Sequence, residues 1–553
     1  MDRIWLKQYP PGVPADIDSA QHRSLKTLIE SGLQQHAARD AYVQMDKRIS
    51  FADVDRLSAA FATWLQHQGL KPGDRVALMM PNLLQYPIAL FGVLRAGLVA
   101  VNTNPLYTAD ELRRQLNDSG AQAIVVVENF AHVVAKVKAD TALKAVLVTG
   151  AGDLLGFAKR TLVNFVVRHV QKKVPAWNID GAHRFTDALR DCDGQTPQDT
   201  YPGPEDVAIL QYTGGTTGTS KGATLTHRNM IANALQARAW FEQVNIQYTT
   251  YYIALPMYHI FSLTGNCLLH VQTGGFGVII PDPRDFAGFV KVLRKYPPQV
   301  FLGVNTLFNA LMSTAGFDRI DFTRLVASIG GGMAVQAIVA ERWKKLTGCT
   351  LSQGWGLTET SPVVTVNKLL PGNGFNGSVG LPVPSTDVSI RDDEGNELGI
   401  NEVGEICVHG PQVMAGYWQR PAETAQVMLP GDWLRTGDVG RIDSQGYVYI
   451  EDRKKDMITV SGFKVYPNEV EDVAVKHPDI FEAAAIAEPD ERSGEVVALY
   501  VVSKNPSLTA EQVIAFTRQH LTAYKVPRHV YFREQLPKTN VGKILRRALR
   551  PQE

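Results

Sequence analysis

The run QYTGGTTGTSKG at residues 211–222 constrains this chain more than any other segment. It contains four glycines, five Thr or Ser residues and one lysine, Lys221. Glycine permits close backbone approach, so several N–H groups can converge on an anion. The hydroxyl groups add neutral donors, and the lysine adds a mobile positive charge. The run therefore predicts a loop that binds a polyphosphate, whereas a plain surface turn would need neither the hydroxyls nor the lysine.

The surroundings of this loop distinguish it from a Walker A loop, in which Gly-Lys-Ser/Thr opens a helix. Here Lys221 stands between Ser220 and a glycine. The apolar run 207–212 predicts a buried strand, and residues 223–226 still read as extended. A helix is expected only after Thr226, whose side chain suits an N-cap. The loop is therefore expected to join two strands, without a helix dipole behind it.

The composition is that of a globular protein with more than one domain: 553 residues, 45% hydrophobic and 20% charged. The net charge of +1 gives no field that would favour nucleic acid as a partner. The four cysteines form no CxxC pair, which argues against zinc and disulfides and fits a cytoplasmic protein. The first residues lack the apolar core of a signal peptide, and no apolar run reaches the ~18 residues of a spanning helix.

Alternating strand and helix patterns predict an α/β fold. Between residues 75 and 150, and again between 205 and 350, strand-like apolar runs alternate with amphipathic helices. This alternation favours two sheets, largely parallel and covered by helices. Residues 24–70 contain amphipathic helical patterns, at 24–30 and at 58–65.

The C-terminal part of the chain has a different character. From residue 380, short strands and turns predict a small β-subdomain. A charge cluster at 451–456 then precedes a compact α+β pattern. We therefore expect a large N-terminal domain at residues 1–451 and a small C-terminal domain at 452–553.

Residues 157–177 form a basic amphipathic segment. They mix branched and aromatic apolar residues with six basic ones, counting His169. Such a segment can lie on an anionic membrane surface. It can equally be a solvated helix packed on the sheet, so the sequence leaves peripheral contact with the cytoplasmic membrane face open.

Seven further motifs occur along the chain, and each has an ordinary structural explanation when taken alone. A histidine beside aromatic residues is usually packed core, and a glycine run is usually a turn. The motifs are PMYHIFS at 256–262, GGGM at 330–333, GWGLTET at 354–360, WLRTGD at 433–438, DRKKD at 452–456, SGFKVYPNEVE at 461–471 and LPKTNVGK at 536–543.

Together with the loop, these motifs resemble those of the adenylate-forming enzymes, and among them the acyl-CoA synthetases, most closely the bacterial long-chain fatty-acid–CoA ligases. The resemblance spans nearly the whole chain. It implies that a fatty-acid carboxylate attacks the α-phosphate of ATP, giving acyl-AMP and pyrophosphate. The C-terminal domain then rotates, and CoA takes the acyl group. Ser220 at a usual proline, Trp355 at a usual tyrosine and Asp432 in Gly-Asp-Trp depart from the common pattern.

The resemblance implies roles for individual residues. Lys543 would bridge the attacking carboxylate and the α-phosphate, and His259 would position the carboxylate without transferring a proton. Thr358 would contact the α-phosphate, and Glu359 with Thr217 would hold Mg²⁺. The implied nucleotide contacts are Tyr212, Thr213, Gly214, Gly215, Thr216, Thr217, Gly218, Thr219, Lys221 and Gly222 for the phosphates, Gly331, Gly332 and Trp355 for adenine, and Asp438 and Arg453 for the ribose.

Two residues of the C-terminal domain complete the predicted set. Lys455 would be the hinge between the two half-reactions, and Gly462 would allow close approach of the pantetheine of CoA. The expected substrates are therefore ATP with Mg²⁺, CoA and a long-chain fatty acid, which apolar residues within 300–311 would accommodate. A homodimer is not excluded. The alternatives are a medium-chain or aryl carboxylate–CoA ligase, an enzyme that stops at acyl-AMP, and a non-catalytic nucleotide or acyl sensor.

Overall fold

The computed structural model describes residues 3–213, 220–370, 373, 375–539 and 542–550. The predicted phosphate contacts Gly214, Gly215, Thr216, Thr217, Gly218 and Thr219 lie outside the described residues. The described strands are β1 Asp40–Gln44, β2 Lys47–Ser50, β3 Arg75–Met79, β4 Val99–Asn102, β5 Ala123–Val127, β6 Ala145–Thr149, β7 His183–Arg184, β8 Val207–Thr213, β9 Lys221–Thr226, β10 Thr250–Ile253, β11 Phe276–Ile279, β12 Val300–Gly303, β13 Ala327–Gly330, β14 Leu351–Gly356, β15 Val363–Val366, β16 Leu381–Pro382, β17 Asp387–Arg391, β18 Gly404–His409, β19 Gly416–Tyr417, β20 Met428–Leu429, β21 Trp433–Ile442, β22 Val448–Arg453, β23 Ile458–Val460, β24 Phe463–Val465, β25 Ile480–Asp490, β26 Gly494–Ser503 and β27 His529–Phe532.

Helices lie between and beside these strands. The described α-helices are α1 Leu25–Gln35, α2 Phe51–His67, α3 Gln85–Arg95, α4 Ala109–Ser119, α5 Ala131–Val137, α6 Phe157–Phe165, α7 Phe185–Asp191, α8 His227–Phe241, α9 Ile260–Leu263, α10 Leu269–Thr273, α11 Phe286–Lys295, α12 Asn305–Met312, α13 Ala337–Thr347, α14 Pro421–Val427, α15 Pro467–Ala474 and α16 Ala510–Arg518. Short π-helical turns follow α6 at Val166–Val170 and α9 at Thr264–Leu268.

The first sheet holds the strands on both sides of the predicted phosphate loop. Its order is β19-β9-β8-β4-β3-β5-β6-β7, and the strands from β8 to β7 run parallel. β8 and β9 pair antiparallel, from Thr213↔Lys221 at the base of the loop. Thr226 caps α8, because its Oγ1 accepts the Asn229 N–H over 3.2 Å. The predicted strand–loop–strand arrangement and the helix start are confirmed.

The second sheet is built around the parallel strands β10 to β14, in the order β16-β15-β14-β13-β12-β10-β11-β1-β2. At one edge stands the antiparallel hairpin of β1 and β2. The helical patterns at 24–30 and 58–65 correspond to α1 and α2, and the hairpin lies between these helices, where no strand was predicted. β1 is buried at four consecutive residues after Asp40, so it shows no period-two alternation by which a strand is usually recognised.

A smaller antiparallel sheet of β17, β18, β20, β21 and β22 follows, as the short strands after residue 380 predict. β21 pairs with β22 so that Asp438 stands opposite Arg453. The expected domain boundary between residues 451 and 452 falls inside β22. The turn at 454–456, immediately after this strand, leads into the small domain.

The small domain packs α15 and α16 against the sheet of β23 to β27. Its apolar core includes Ile458, Val470, Leu499 and Val513, all with side chains almost wholly withdrawn from solvent. The large domain has apolar cores of its own around the other sheets, and they are not continuous with the core of the small domain. The predicted α/β architecture with a large N-terminal and a small C-terminal domain is confirmed.

The sequence contains no apolar run long enough to predict a membrane-spanning helix. Within the described residues, no helix has both the length and the apolarity needed to cross a bilayer.

Candidate active site

One cavity of about 650 Å³ brings together residues from the large and the small domain, between Thr213 and Lys543 along the chain. The first sheet contributes Thr213 and Lys221, at the two ends of the phosphate loop. The second sheet and its loops contribute the glycine run, the aromatic residue of GWGLTET and the threonine and glutamate that follow it. The small domain contributes Lys543. Among the predicted residues that line this cavity are Thr213, Lys221, His259, Gly331, Gly332, Trp355, Thr358, Glu359, Arg453 and Lys543.

Asp438 does not itself line the cavity but is held directly behind two residues that do, Trp355 and Arg453. Its carboxylate is nearly inaccessible to solvent, at 5% exposure. The Trp355 indole N–H donates to Oδ2 over 2.8 Å, and Arg453 Nε lies 3.1 Å from Oδ1. Both oxygens therefore have fixed partners, and the strand pairing of β21 with β22 places the arginine. The tryptophan that stands at a usual tyrosine thus replaces the lost hydroxyl with an N–H donor of its own.

The cavity wall that contains Lys221 and Glu359 is organised by Tyr417, which the sequence analysis did not single out. Its hydroxyl donates to Glu359 Oε1 over 2.8 Å, and the Lys221 ammonium lies 5.2 Å from the centre of its ring. One aromatic side chain therefore fixes both the carboxylate and the cation. Tyr417 lies in the sequence GYW, which matches no functional motif. The pairing of β19 with β9 brings Tyr417 to this wall of the cavity.

The donor set at Glu359 is compatible with magnesium. Within the described residues, no cluster of three or more His, Cys, Asp or Glu side chains is suited to hold a metal ion. Mg²⁺ typically takes only one or two carboxylates and fills its remaining positions with water and substrate phosphates. A single half-buried carboxylate with one oxygen directed by Tyr417, beside a phosphate loop, meets that requirement.

Lys543 and His259 meet in the same cavity, and burial changes the protonation of both. Burial lowers the pKa of the Lys543 ammonium to about 8, with the nearby Arg453 charge adding to the effect. Burial also lowers the pKa of His259 to about 4, and the charge of Lys543 lowers it further. At neutral pH the lysine is mainly charged and the imidazole is neutral. The pair can therefore supply one fixed positive charge and one neutral ring.

The backbone before Lys543 has a conformation that requires glycine. Gly542 has φ of +84°, in the left-handed region, and a Cβ there would lie 2.9 Å from Thr306 Oγ1 of the large domain. The Thr306 hydroxyl donates to the Gly542 carbonyl over 3.1 Å. This close approach delivers the lysine side chain to the cavity.

The cavity continues into an apolar branch, lined by Ala237, Trp240, Phe241, Leu269 and Leu302. Trp240 is 1% exposed, and its indole N–H donates to the Asn367 carbonyl over 3.1 Å. Of the segment 300–311, only Leu302 and Val304 line the cavity, because the later residues of α12 point into the core around Trp343. Most of the branch comes from α8 and α10 instead.

Several predicted residues lie elsewhere. The Tyr212 hydroxyl donates to Asp118 over 2.7 Å, and Gly222 packs against the Tyr212 ring. Lys455 is exposed in the turn after β22, and Gly462 is exposed in the β23–β24 hairpin. Ser220 closes the base of the loop, because its hydroxyl donates to the Thr213 carbonyl over 2.7 Å. That bond ties Ser220, at the position where a proline is usual, to the last residue of β8.

Comparison with known proteins agrees with this geometry. Residues 29–418 match the family described as AMP-binding enzyme, and residues 469–543 match its C-terminal domain. The chain belongs to the AMP-binding enzyme family. A long-chain-fatty-acid–CoA ligase of Escherichia coli O157:H7 is 52% identical over 100% of this chain and 98% of its own length. A protein of the same name from Bacillus subtilis strain 168 is 36% identical over 99% and 98% of the two chains.

Solved AMP-binding enzymes share the fold. ATP-bound MatB from Rhodopseudomonas palustris superposes with a TM-score of 0.82 at 27% identity, covering 95% of this chain and 98% of that one. The anthranilate CoA ligase AuaEII in complex with anthranoyl-AMP gives a TM-score of 0.84 at 24% identity, with 96% and 98% coverage. Because AuaEII is only 24% identical, its likeness to this chain supports the fold alone.

The bond between Trp355 and Asp438 leads to a test of nucleotide binding. Trp355→Phe keeps an aromatic face but removes the indole N–H, so Asp438 loses one of its two fixed partners. We expect the Kd for ATP to rise about tenfold, which is the low end for one hydrogen bond to a charged group. Isothermal titration calorimetry measures it. Trp433→Phe, on the same strand as Asp438 but outside the cavity lining, should leave the Kd within about twofold, and equal affinity of wild type and Trp355→Phe would contradict the role.

Proposed function

We propose that the protein activates a long-chain fatty acid with ATP and transfers the acyl group to CoA, giving acyl-CoA, AMP and pyrophosphate. One observation carries this proposal: a single cavity joins a cationic region, with Lys221, Arg453 and Lys543, to an apolar branch that Trp240 helps to line. Such a cavity suits an anionic phosphate and an alkyl chain in one substrate complex. The ligases that are 49–52% identical over the full chain carry the same activity in their names.

In the first half-reaction, a carboxylate oxygen forms a bond to the α-phosphorus, and the bond to the bridging oxygen of pyrophosphate breaks. Both reactants are anions, so their repulsion must be offset by positive charge. Lys543, mainly protonated at neutral pH, supplies that charge where the two meet. The neutral His259 and the hydroxyl of Thr358 orient the carboxylate and the phosphate. No general base is required, because a carboxylate is already ionised at pH 7.

The other side-chain roles concern binding. Asp438, fixed by Trp355 and Arg453, holds the ribose hydroxyls, while Gly331 and Gly332 leave room for the adenine. Lys221 and the Thr213 backbone grip the β- and γ-phosphates. Glu359 would hold Mg²⁺, which supplies further charge neutralisation to the phosphates when bound.

In the second half-reaction, the sulfur of CoA attacks the acyl carbonyl, AMP leaves, and the thiol proton passes to solvent. The hairpin around Gly462 faces solvent in the present domain orientation. For this segment to reach the cavity, the small domain has to turn about the 454–456 region, with Lys455 as the hinge. We accordingly propose two domains that work in two orientations. A homodimer stays a prediction.

The proposed function has a direct test against its alternatives. ATP-dependent pyrophosphate release is measured with a panel of carboxylates from C6 to C20 and with aryl acids, with and without CoA. Release favoured by C14–C18 acids, with acyl-CoA as the product, is expected. A preference for short or aryl acids would favour another carboxylate–CoA ligase, release without acyl-CoA would favour an acyl-AMP ligase, and no release with any acid would leave a sensor.

The role of Lys543 is tested by separating the half-reactions. Lys543→Ala removes the charge at the reacting oxygens, so we expect adenylation to slow by at least ~10²-fold, as for the loss of a charge-stabilising donor. Thioester formation from supplied acyl-AMP and CoA should persist. Pyrophosphate exchange and acyl-CoA formation are the two measurements. Lys538→Gln, in the same segment, breaks only a 2.6 Å pair with Glu482 and is the control; equal losses in both half-reactions would argue against the role.

Acyl chain length is proposed to be limited by Trp240. The Asn233 amide donates to the Val363 carbonyl near the reaction site, and Trp240 donates to Asn367 further along the same strand edge. The hydrogen bond and an edge contact with Tyr9 at 5.3 Å hold the indole in place.

Trp240→Leu should lengthen the branch. We expect the chain-length optimum in kcat/KM to move towards longer acids, with a gain of up to about fourfold for each additional buried methylene, which is worth ~0.8 kcal/mol. Measuring kcat/KM from C10 to C22 tests this. Trp433→Leu, outside the cavity lining, should leave the profile unchanged. An unchanged optimum in Trp240→Leu would show that another residue closes the branch.

We further propose peripheral contact with the cytoplasmic membrane face through α6 and the π-turn after it. Polar side chains of this segment face the protein. Asn164 donates to Asp153, and Arg168 donates to the buried Glu128. The apolar side chains of the segment point outward, with exposures of 88% for Phe157, 62% for Leu162, 56% for Phe165 and 66% for Val170. Exposed Lys159, Lys172 and Lys173 flank them. Apolar side chains between lysines suit the interface of an anionic bilayer.

Vesicle flotation tests the membrane proposal. The double variant Leu162→Ser with Phe165→Ser should lose most binding to vesicles containing phosphatidylglycerol. Neutralising Lys172 and Lys173 should weaken binding mainly at low salt, because electrostatic attraction is screened. Ile338→Ser removes an exposed apolar side chain from α13, 48% exposed, and serves as the control. Equal flotation of all variants would exclude this segment as the contact.

A further inference from the structure

Asp452 lies where the two domains meet. It belongs to β22, which pairs with β21 in the large domain. Its carboxylate is 1% exposed, and both of its oxygens have a partner from the small domain. Oδ1 accepts from Arg546 Nη1 over 3.1 Å, and Oδ2 accepts the backbone N–H of Asn468 over 2.8 Å. Within its own strand, Oδ1 also accepts the Arg453 backbone N–H over 2.7 Å. The side-chain cation that donates to this buried carboxylate, Arg546, thus belongs to the other domain.

Arg546 is held on the small domain independently of this contact. Its Nε and Nη2 donate to the two oxygens of Glu471 over 3.0 and 2.9 Å, and Nη2 also donates to Asn468 Oδ1 over 2.7 Å. The Asp456 carboxylate also lies 3.6 Å from Nη1. The guanidinium is therefore oriented in advance, with the Nη1 edge directed at Asp452. The Asp452 carboxylate of the large domain therefore binds a guanidinium that the small domain already orients.

The same short segment of the small domain carries both Arg546 and Lys543, three residues apart. The chain connects the domains only through the turn at 454–456, which would leave their relative orientation free. The contact at Asp452 restricts it at the hinge, and the Thr306 bond to Gly542 restricts it beside the cavity. With both contacts made, Lys543 points into the cavity.

We propose that Asp452 and Arg546 are positioning residues that hold the small domain in the orientation that presents Lys543 to the cavity. The proposal rests on the two half-reactions proposed above. Asp452 stays with the large domain when the small domain turns, while Arg546 and Asn468 leave with the small domain. The contact therefore favours adenylation and has to open before the Gly462 hairpin can approach the cavity for transfer to CoA.

The choice of variant follows from the ion pairs. Removing Arg546 would leave Asp452 and Glu471 together in a buried site without a cation, so a loss of folding would confuse the result. Asp452→Asn is nearly isosteric and leaves Arg546 with Glu471 and Asp456. It weakens the contact across the domains while leaving each domain's own contacts in place.

The experiment measures the two half-reactions of the full chain separately. Acid-dependent exchange between pyrophosphate and ATP reports adenylation, and acyl-CoA formation from synthetic palmitoyl-AMP reports transfer. For Asp452→Asn we expect adenylation to fall about tenfold, as for one weakened charged hydrogen bond, and transfer to be unchanged or faster. Lys525→Gln is the control, because it breaks a 2.7 Å pair with Glu469 inside the small domain; both rates should stay at wild-type levels.

Equal losses in both half-reactions, or no loss in either, would overturn the proposal. Trypsin provides a second measurement, since Lys454 and Lys455 are exposed in the turn between the domains. The wild type should be cleaved there slowly and Asp452→Asn several-fold faster, and equal cleavage rates would again count against the contact. If the wild type shows neither half-reaction with any acid, the proposed function fails, and the trypsin comparison still decides whether the contact holds the domains.

Discussion

Two anions cannot be brought together in a partly buried cavity unless fixed positive charge is already there. This constraint accounts for much of the site. Lys221 comes from the edge of the first sheet, Arg453 from the third and Lys543 from the small domain. Each cation has a partner that places it: the Tyr417 ring, the Asp438 carboxylate and the Thr306 contact at Gly542. The low dielectric that strengthens their attraction for substrate also lowers the pKa of Lys543 to about 8.

The fold supplies this positive charge by placing the site where the sheets of the large domain meet the small domain. Parallel strands end at common edges, and the loops that follow them carry the glycine run and GWGLTET towards one point. The antiparallel pair of β8 and β9 holds the phosphate loop beside them. The remaining requirement, a cation at the reacting oxygens, is met by Lys543 of the small domain, which we propose turns between the two half-reactions. Keeping that cation on a separate body permits a second reactant to occupy its place later.

Sequence reasoning was most successful where chemistry is local. Residues 207–212 read as a buried strand and residues 223–226 as extended, and both fall in strands, while Thr226 caps the next helix through its own side chain. Sequence reasoning did not predict the β1–β2 hairpin, because four consecutive buried residues in β1 hide its alternation. It also missed Tyr417 and Trp240, which are ordinary aromatic residues until β19 and α8 bring them to the cavity.

The sequence by itself indicated the reaction class through the resemblance of its ordered motifs to those of the adenylate-forming enzymes, since the phosphate loop alone predicts only the binding of a polyphosphate. It could also indicate that Trp355 departs from the usual tyrosine. Only the tertiary structure decided what that change does, since the Asp438 partner lies 83 residues away. The depth of the apolar branch, the outward apolar face of α6 and the contact of Asp452 with Arg546 were likewise decided in space. Each depends on contacts between distant segments, and such contacts leave no periodic or compositional signal along the chain.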